Sequence, residues 1–173
     1  MSKAPDLTDF SKEEIKETLN EIRHPFEVAV CNSDNYFNCG AIIRTSHNFL
    51  ASKVWMLEDL ERYYKKATMG ARKWENVSAS TTEQFLEMAL EGGRNIIAME
   101  RRPGLQTINL IHYKWPENPI MVFGSEKAGV PEPILKAARA VVSIPVYGVL
   151  NDHNVATSAG ITMYDWVSKN ETY

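Results

Sequence analysis

The stretch PIMVFGSEKAGVPEPILKAARAVVSIPV, residues 119–146, decides how the chain is read. PIMVFG (119–124) is a short apolar run of buried-strand type, and PEPILKAARA (131–140) has helical spacing, with Pro131 suited to a first helical turn. VVSIPV (141–146) returns to strand character. Working outward, the alternation repeats. Towards the N-terminus, FEVAV (26–30), KVWML (53–57), VSAS (77–80) and NIIAME (95–100) read as strands. Between them GAIIRTSHNFL (40–50) and TTEQFLEMALEGG (81–93) read as helices, the second capped by Thr81 or Thr82 and stopped by Gly92-Gly93. Towards the C-terminus, NVATSAGITMYDWVSK (154–169) is the last helix. Strands alternating with helices predict an α/β domain with a mostly parallel sheet and helices on both faces.

Ahead of this pattern, Ser11 and Glu14 form a capping-box signature, and Ile15, Leu19 and Ile22 share one helical face before His24-Pro25 ends the run. We read residues 1–25 as an N-terminal helical extension of a domain spanning 26–173. Arg101 to Pro119, with Pro103, Gly104 and Pro116, is the nearest thing to a linker.

With 173 residues, 44% of them hydrophobic and 24% charged, the chain suits one domain with its own core. No apolar run reaches the roughly 18–20 residues of a membrane span, and MSKAPDLTDFSKEE lacks a signal-peptide core, so the expected location is cytoplasmic. Cys31 and Cys39 are read as two reduced thiols, since no second CxxC or HxxxH accompanies them and no metal is expected. A formal charge of −3 argues against a uniformly cationic coat but permits a local basic patch.

Ligands of open α/β sheets gather beyond the carboxyl ends of the strands. Three strand-to-helix loops here are polar and contain glycine: SDNYFNCGAIIR, FGSEKAGVP and YGVLNDHN. FGSEKAGVP matches neither G-x-x-x-x-G-K-[ST] nor G-x-G-x-x-G, and Glu126 suits a cationic or hydroxyl-bearing ligand better than a phosphate. Read one at a time, these residues have plain explanations. Asn38 and Asn154 suit helix caps, Arg44 a surface ion pair, Glu126 an exposed turn and His153 a solvated loop. Arg62, Lys65, Lys66, Arg72 and Lys73, interleaved with Tyr63, Tyr64 and Trp74, combine cations with flat rings as RNA-docking surfaces do; an ordinary solvated segment is the alternative.

Taken together, N-x-G-A-I-I-R at 38–44, F-G-S-E-x-x-G-V at 123–130 and I-P-V-x-G…N-V-A at 144–156 resemble, in order and spacing, the three motifs of the SpoU (TrmH-like) branch of the SPOUT RNA methyltransferases. The resemblance covers about residues 26–168. It implies a C-terminal deep trefoil knot, an obligate homodimer, S-adenosylmethionine as cofactor, and methylation of a ribose 2′-hydroxyl in tRNA or rRNA. It also implies roles for individual residues. Arg44 corresponds to the arginine that assists the hydroxyl, and Asn38, Glu126 and Asn154 to polar residues of the three motifs. Phe123, Gly124 and Gly129 would lie along the cofactor, and Ile144, Val146, Gly148 and Asn154 at its adenine side. Where the family usually reads Ser-Leu-Asn-Val-Ser, this chain has Asp152-His153-Asn154-Val155-Ala156. Asp152 is therefore an added acceptor, able to pair with Arg44 or to act as base. The alternative is a non-catalytic RNA- or cofactor-binding protein that keeps the fold.

Overall fold

The computed structural model describes residues 7–31, 35–58 and 67–171. The strands are β1 (His24–Cys31), β2 (Ala51–Leu57), β3 (Val77–Ser80), β4 (Asn95–Met99), β5 (Ile108–Asn109), β6 (Pro119–Phe123) and β7 (Ala140–Ser143). The helices are α1 (Lys12–Glu21), α2 (Tyr36–Asn48), α3 (Thr82–Glu91), α4 (Glu132–Ala137) and α5 (Val155–Asn170). The strands form one seven-stranded sheet in the order β3-β2-β1-β6-β4-β7-β5. Every ladder between them is parallel.

Strand side chains alternate between two faces, and both faces are buried. Phe26, Val28 and Val30 of β1 and Met121 and Phe123 of β6 join Ile42 and Ile43 of α2 and Met163 and Trp166 of α5 in one core. Ala29, Ile120 and Val122 point the other way, onto Phe85 of α3 and Ile134 of α4. This two-sided burial is why the strands read as continuous apolar runs. Cys31 and Cys39 are both free and buried. Burial, and then the charges of Glu100 and Glu58, push the Cys31 thiol up to about 12.

Most predicted elements appear, with informative shifts. The Ser11–Glu14 capping box starts α1, and Thr81 with Gln84 forms a second one at α3. Helix α2 begins four residues earlier than its spacing suggests, capped by Asn35 rather than Asn38. Ladder pairing of β7 stops at Ser143, so Ile144 to Val146 lie outside the sheet. β5, only two residues long, hides in the proline-bearing stretch because it pairs with β7 alone. Lys169 of α5 donates to the carbonyls of Leu110 (2.8 Å) and Tyr113 (3.2 Å), and Trp115 Nε1 donates to Asp165 (2.8 Å). These bonds tie the last helix to the segment that follows β5.

At the opposite, amino end of the sheet lies a buried ion pair. Arg23 Nη1 is 3.0 Å from Glu75 Oε2, with side-chain exposures of 4% and 0%. Arg23 also donates to the carbonyls of Ala51 (2.8 Å) and Trp74 (2.5 Å), while His47 Nδ1 sits 2.9 Å from Glu75 Oε1. The pair joins the entry to β1, the start of β2, the approach to β3 and the end of α2. Removing one partner strands the other charge in a dry site. Glu75→Ala should therefore lower stability by roughly 3–5 kcal/mol. A thermal or urea midpoint equal to that of the parent chain would contradict this.

Candidate active site

A cavity of about 350 Å³ opens beyond the carboxyl ends of β4, β6 and β7. Its walls include Met99 at the end of β4 and Glu100 just after it, Phe123 at the end of β6 with the loop Gly124–Gly129, and Ile144, Val146, Asp152 and His153 from the segment after β7. The β6 loop folds tightly on itself. Gly129 N donates to Ser125 O (2.9 Å) and Ala128 N to Ser125 Oγ (3.1 Å). A Cβ on Gly124 would lie 2.1 Å from the carbonyl carbon of Gly129 and 2.3 Å from Val130 N, so only glycine allows this approach. Gly129 has φ of +68°, and a Cβ there would meet the Glu100 carboxylate at 2.3 Å. Glu100 holds the fold in place: its Oε2 accepts from Val130 N (2.7 Å) and its Oε1 from Arg101 N (2.8 Å).

The segment after β7 is tied in a similar way. His153 Nε2 donates to Pro145 O (3.2 Å), which closes the loop on itself; the carbonyl can only accept, so the proton sits on Nε2. Arg101 Nη1 donates to Asn151 O (2.7 Å) and ties that loop to the end of β4. Between them, Tyr147, Val149 and Leu150 stand 89%, 99% and 77% exposed.

Three of the predicted polar residues meet. Asn38, buried on α2, donates through Nδ2 to Glu126 Oε1, and its Oδ1 accepts from Asn154 Nδ2 (3.2 Å). Asn154 Oδ1 in turn accepts from Ala156 N (3.0 Å) and Thr157 N (3.3 Å), capping α5. A hydrogen-bonded relay thus runs from the first turn of α5 through α2 to a carboxylate on the cavity wall.

Other predicted residues lie elsewhere. Asp152 is exposed on the cavity wall. Arg44 is exposed on α2, is not among the residues that line the cavity, and forms no ion pair with Asp152. Gly148 does not line the cavity, and nothing lies within 4 Å of where its Cβ would be. Arg72 and Lys73 stand in a short turn before β3, at the amino end of the sheet; Arg72 borders a hollow there with Ser52, Lys53 and Asn76, and neither residue lines the cavity. Arg62, Lys65 and Lys66 fall outside the described residues. The cations that do border the cavity are Arg101, Arg102 and Lys127. Glu100 escaped the sequence reading, although an acid closing the apolar run NIIAME was its one visible signal. Among the described residues no group of three or more His, Cys, Asp or Glu is arranged to hold a metal ion.

The family model described as "SpoU rRNA Methylase family" matches residues 25–164. The chain is 26% identical over 161 residues to the tRNA (guanosine(18)-2′-O)-methyltransferase of Borreliella burgdorferi, covering 91% of this chain and 73% of that protein. It is 29% identical over 142 residues to the 23S rRNA (adenosine(1067)-2′-O)-methyltransferase of Streptomyces azureus, covering 77% of this chain and 51% of that one. In structure it is similar to the TrmH/SpoU tRNA modifying enzyme of A. aeolicus, with TM-score 0.79, 23% identity, and coverage of 91% and 81%. It is likewise similar to an AdoMet-bound rRNA methyltransferase from Sinorhizobium meliloti, with TM-score 0.78, 23% identity and coverage of 89% and 61%. The chain thus spans about half of the Streptomyces relative and about three fifths of the Sinorhizobium one.

The two loop glycines give a paired test. Gly124→Ala should cost about 1–3 kcal/mol, because backbone rather than a flexible side chain has to move. Gly148→Ala should stay within about 0.5 kcal/mol of the parent. Urea denaturation of both variants checks the contrast, and equal midpoints would refute it.

Proposed function

Because the chain belongs to the SpoU rRNA methylase family, we propose that it transfers a methyl group from S-adenosylmethionine to a ribose 2′-hydroxyl of tRNA or rRNA. The observation that carries this reading is the relay from Asn154 through Asn38 to Glu126, which joins all three motif loops beside one cavity. Two of the relatives it matches are named as 2′-O-methyltransferases, one acting on tRNA and one on 23S rRNA.

The cofactor fits what the cavity offers. Its volume lies within the range of small-molecule sites, about 300–1,000 Å³. Phe123, Ile144 and Val146 supply apolar surface for a flat base, and Gly124 and Gly129 leave bare backbone for a ligand to lie against. Glu100, Glu126 and Asp152 bring negative charge towards a sulfonium. When bound, the cofactor supplies an electrophilic methyl group. The protein's part is to align the acceptor oxygen and to receive or stabilise charge there. Asn38 and Asn154 hold Glu126 in one orientation. Arg44, exposed and carrying a guanidinium, serves as an electrostatic partner to the RNA rather than as a base. Asp152, on the cavity wall, serves as the proton acceptor.

The same reading includes a homodimer, to which the exposed Tyr147, Val149, Leu150, Ile161 and Tyr164 lend apolar surface. It includes a trefoil knot, supported by the bonds that fasten α5 to residues 110–115. It takes residues 1–25 as an extension of the catalytic domain 26–173 and the cytoplasm as the working compartment. Among the described residues no helix is long and apolar enough to cross a membrane.

Tritiated methyl transfer to total RNA from cells lacking the protein tests the activity, followed by nucleoside mass spectrometry for one restored 2′-O-methyl mark. Binding of S-adenosylhomocysteine without transfer to any RNA would favour a non-catalytic binder. Asp152→Asn should lower kcat by about 10²–10⁴-fold while leaving S-adenosylhomocysteine affinity unchanged. Near-parental turnover by Asp152→Asn would remove it from the mechanism. Arg44→Ala should weaken kcat/KM for RNA, and unaltered methylation would exclude a central role for it.

A further inference from the structure

A second hollow of about 390 Å³ adjoins the first, lined by Asn35, Tyr36, Ser125, Glu126 and Lys127. The two cavities share the wall Ser125–Lys127. Tyr36 also lines it, with the Phe37 ring against it at a centroid distance of 4.6 Å and an interplanar angle of 30°. Both rings are exposed, by 43% and 63%. They stand in the first turn of α2, beside the buried Asn38 that bonds Glu126. Two large aromatic side chains at the start of a helix contribute little to the core, and no step proposed so far uses them.

We infer that this hollow receives the base of the acceptor nucleotide, stacked on Tyr36 and backed by Phe37, with its edge towards Ser125, Glu126 and Lys127. The inference rests on the methyl-transfer reading, because it names where that reaction's second substrate binds. Three observations carry it. The aromatic wall offers what unpaired RNA bases stack on. The loop after β6 offers a hydroxyl, a carboxylate and an ammonium to the same hollow, which suit a polar base edge and its phosphate. The shared wall makes occupants of the two cavities neighbours, which a transfer between them requires. The charged Glu126 and Lys127 also make this hollow a poor seat for the apolar surface of a second copy.

The test uses the full chain and two readouts. Saturation-transfer NMR with the four nucleoside 5′-monophosphates, with and without S-adenosylhomocysteine, reads the subsite directly. Methylation of total RNA from cells lacking the protein reads its use. Nucleotide signals should persist when S-adenosylhomocysteine is bound and vanish in Tyr36→Ala. KM for RNA should rise about ten- to a hundredfold in Tyr36→Ala, with S-adenosylhomocysteine affinity unchanged. Tyr36→Phe should restore KM, whereas Tyr36→Leu, apolar but without a ring face, should not. If Tyr36→Ala does not fold, the Phe-against-Leu comparison decides.

Displacement of the nucleotides by S-adenosylhomocysteine, or an unchanged KM in Tyr36→Leu, would overturn the inference. So would a change of oligomeric state in Tyr36→Ala or Tyr36→Leu by sedimentation, which would assign the rings to contact between copies. Should no RNA be methylated, the methyl-transfer reading fails on its own. The NMR arm still decides whether nucleotides bind at Tyr36.

Discussion

Gly124 and the peptide between Gly129 and Val130 approach so closely that no side chain fits between them, and much of the site follows from that approach. It turns the loop after β6 back over its own strand and leaves a cavity where a plain strand-to-helix connection would fill space. The turn needs an acceptor for the amide it exposes, and Glu100 reaches over from the neighbouring β4 to supply it. A carboxylate accepting from two backbone amides locks the ends of two adjacent strands into one rim. Glu126 then projects from a rigid loop, which is what lets a hydrogen bond from Asn38 orient it.

The apolar runs made the fold class legible. In a sheet covered on both sides, strands lose the two-residue alternation, and this chain's runs at 26–30, 95–100 and 119–124 all carry that mark. The trace of β5 was illegible because two residues hold no periodicity, and Ile144 to Val146 misled because their composition is strand-like while no partner strand extends beside them. At the site, the resemblance to the SpoU motifs singled out Asn38, Glu126 and Asn154, but each alone looked like a cap or a solvated turn. Asn154 turns out to be a cap and a member of the relay together, a double use no one-residue argument distinguishes. Glu100 lay outside any motif, since its partners are backbone amides brought close only by the fold.

Charge was the least legible feature. A segment rich in lysine, arginine and tyrosine draws attention in sequence, yet its described members Arg72 and Lys73 sit at the amino end of the strands. The cations bordering the cavity are the adjacent Arg101 and Arg102 after β4 and Lys127 on the loop after β6, all outside that segment. Strand direction decides which end of a parallel sheet a residue joins, and a linear count of charges carries no such information.

The last helix begins beside the site and runs on into the core. Asn154 caps it, while Met163 and Trp166 further along fill the space under β1 and β6. Neighbouring positions therefore differ in their freedom to vary. A change at 154 disturbs the relay and the start of a core helix together, so its functional effect cannot be inherited apart from its structural one. A change at 152 alters only the chemistry of the cavity wall, because Asp152 is exposed and precedes the cap. A lineage carrying this fold is freer to vary 152 than 154, and 152 is one of the two positions, with 156, where this chain departs from the usual serines.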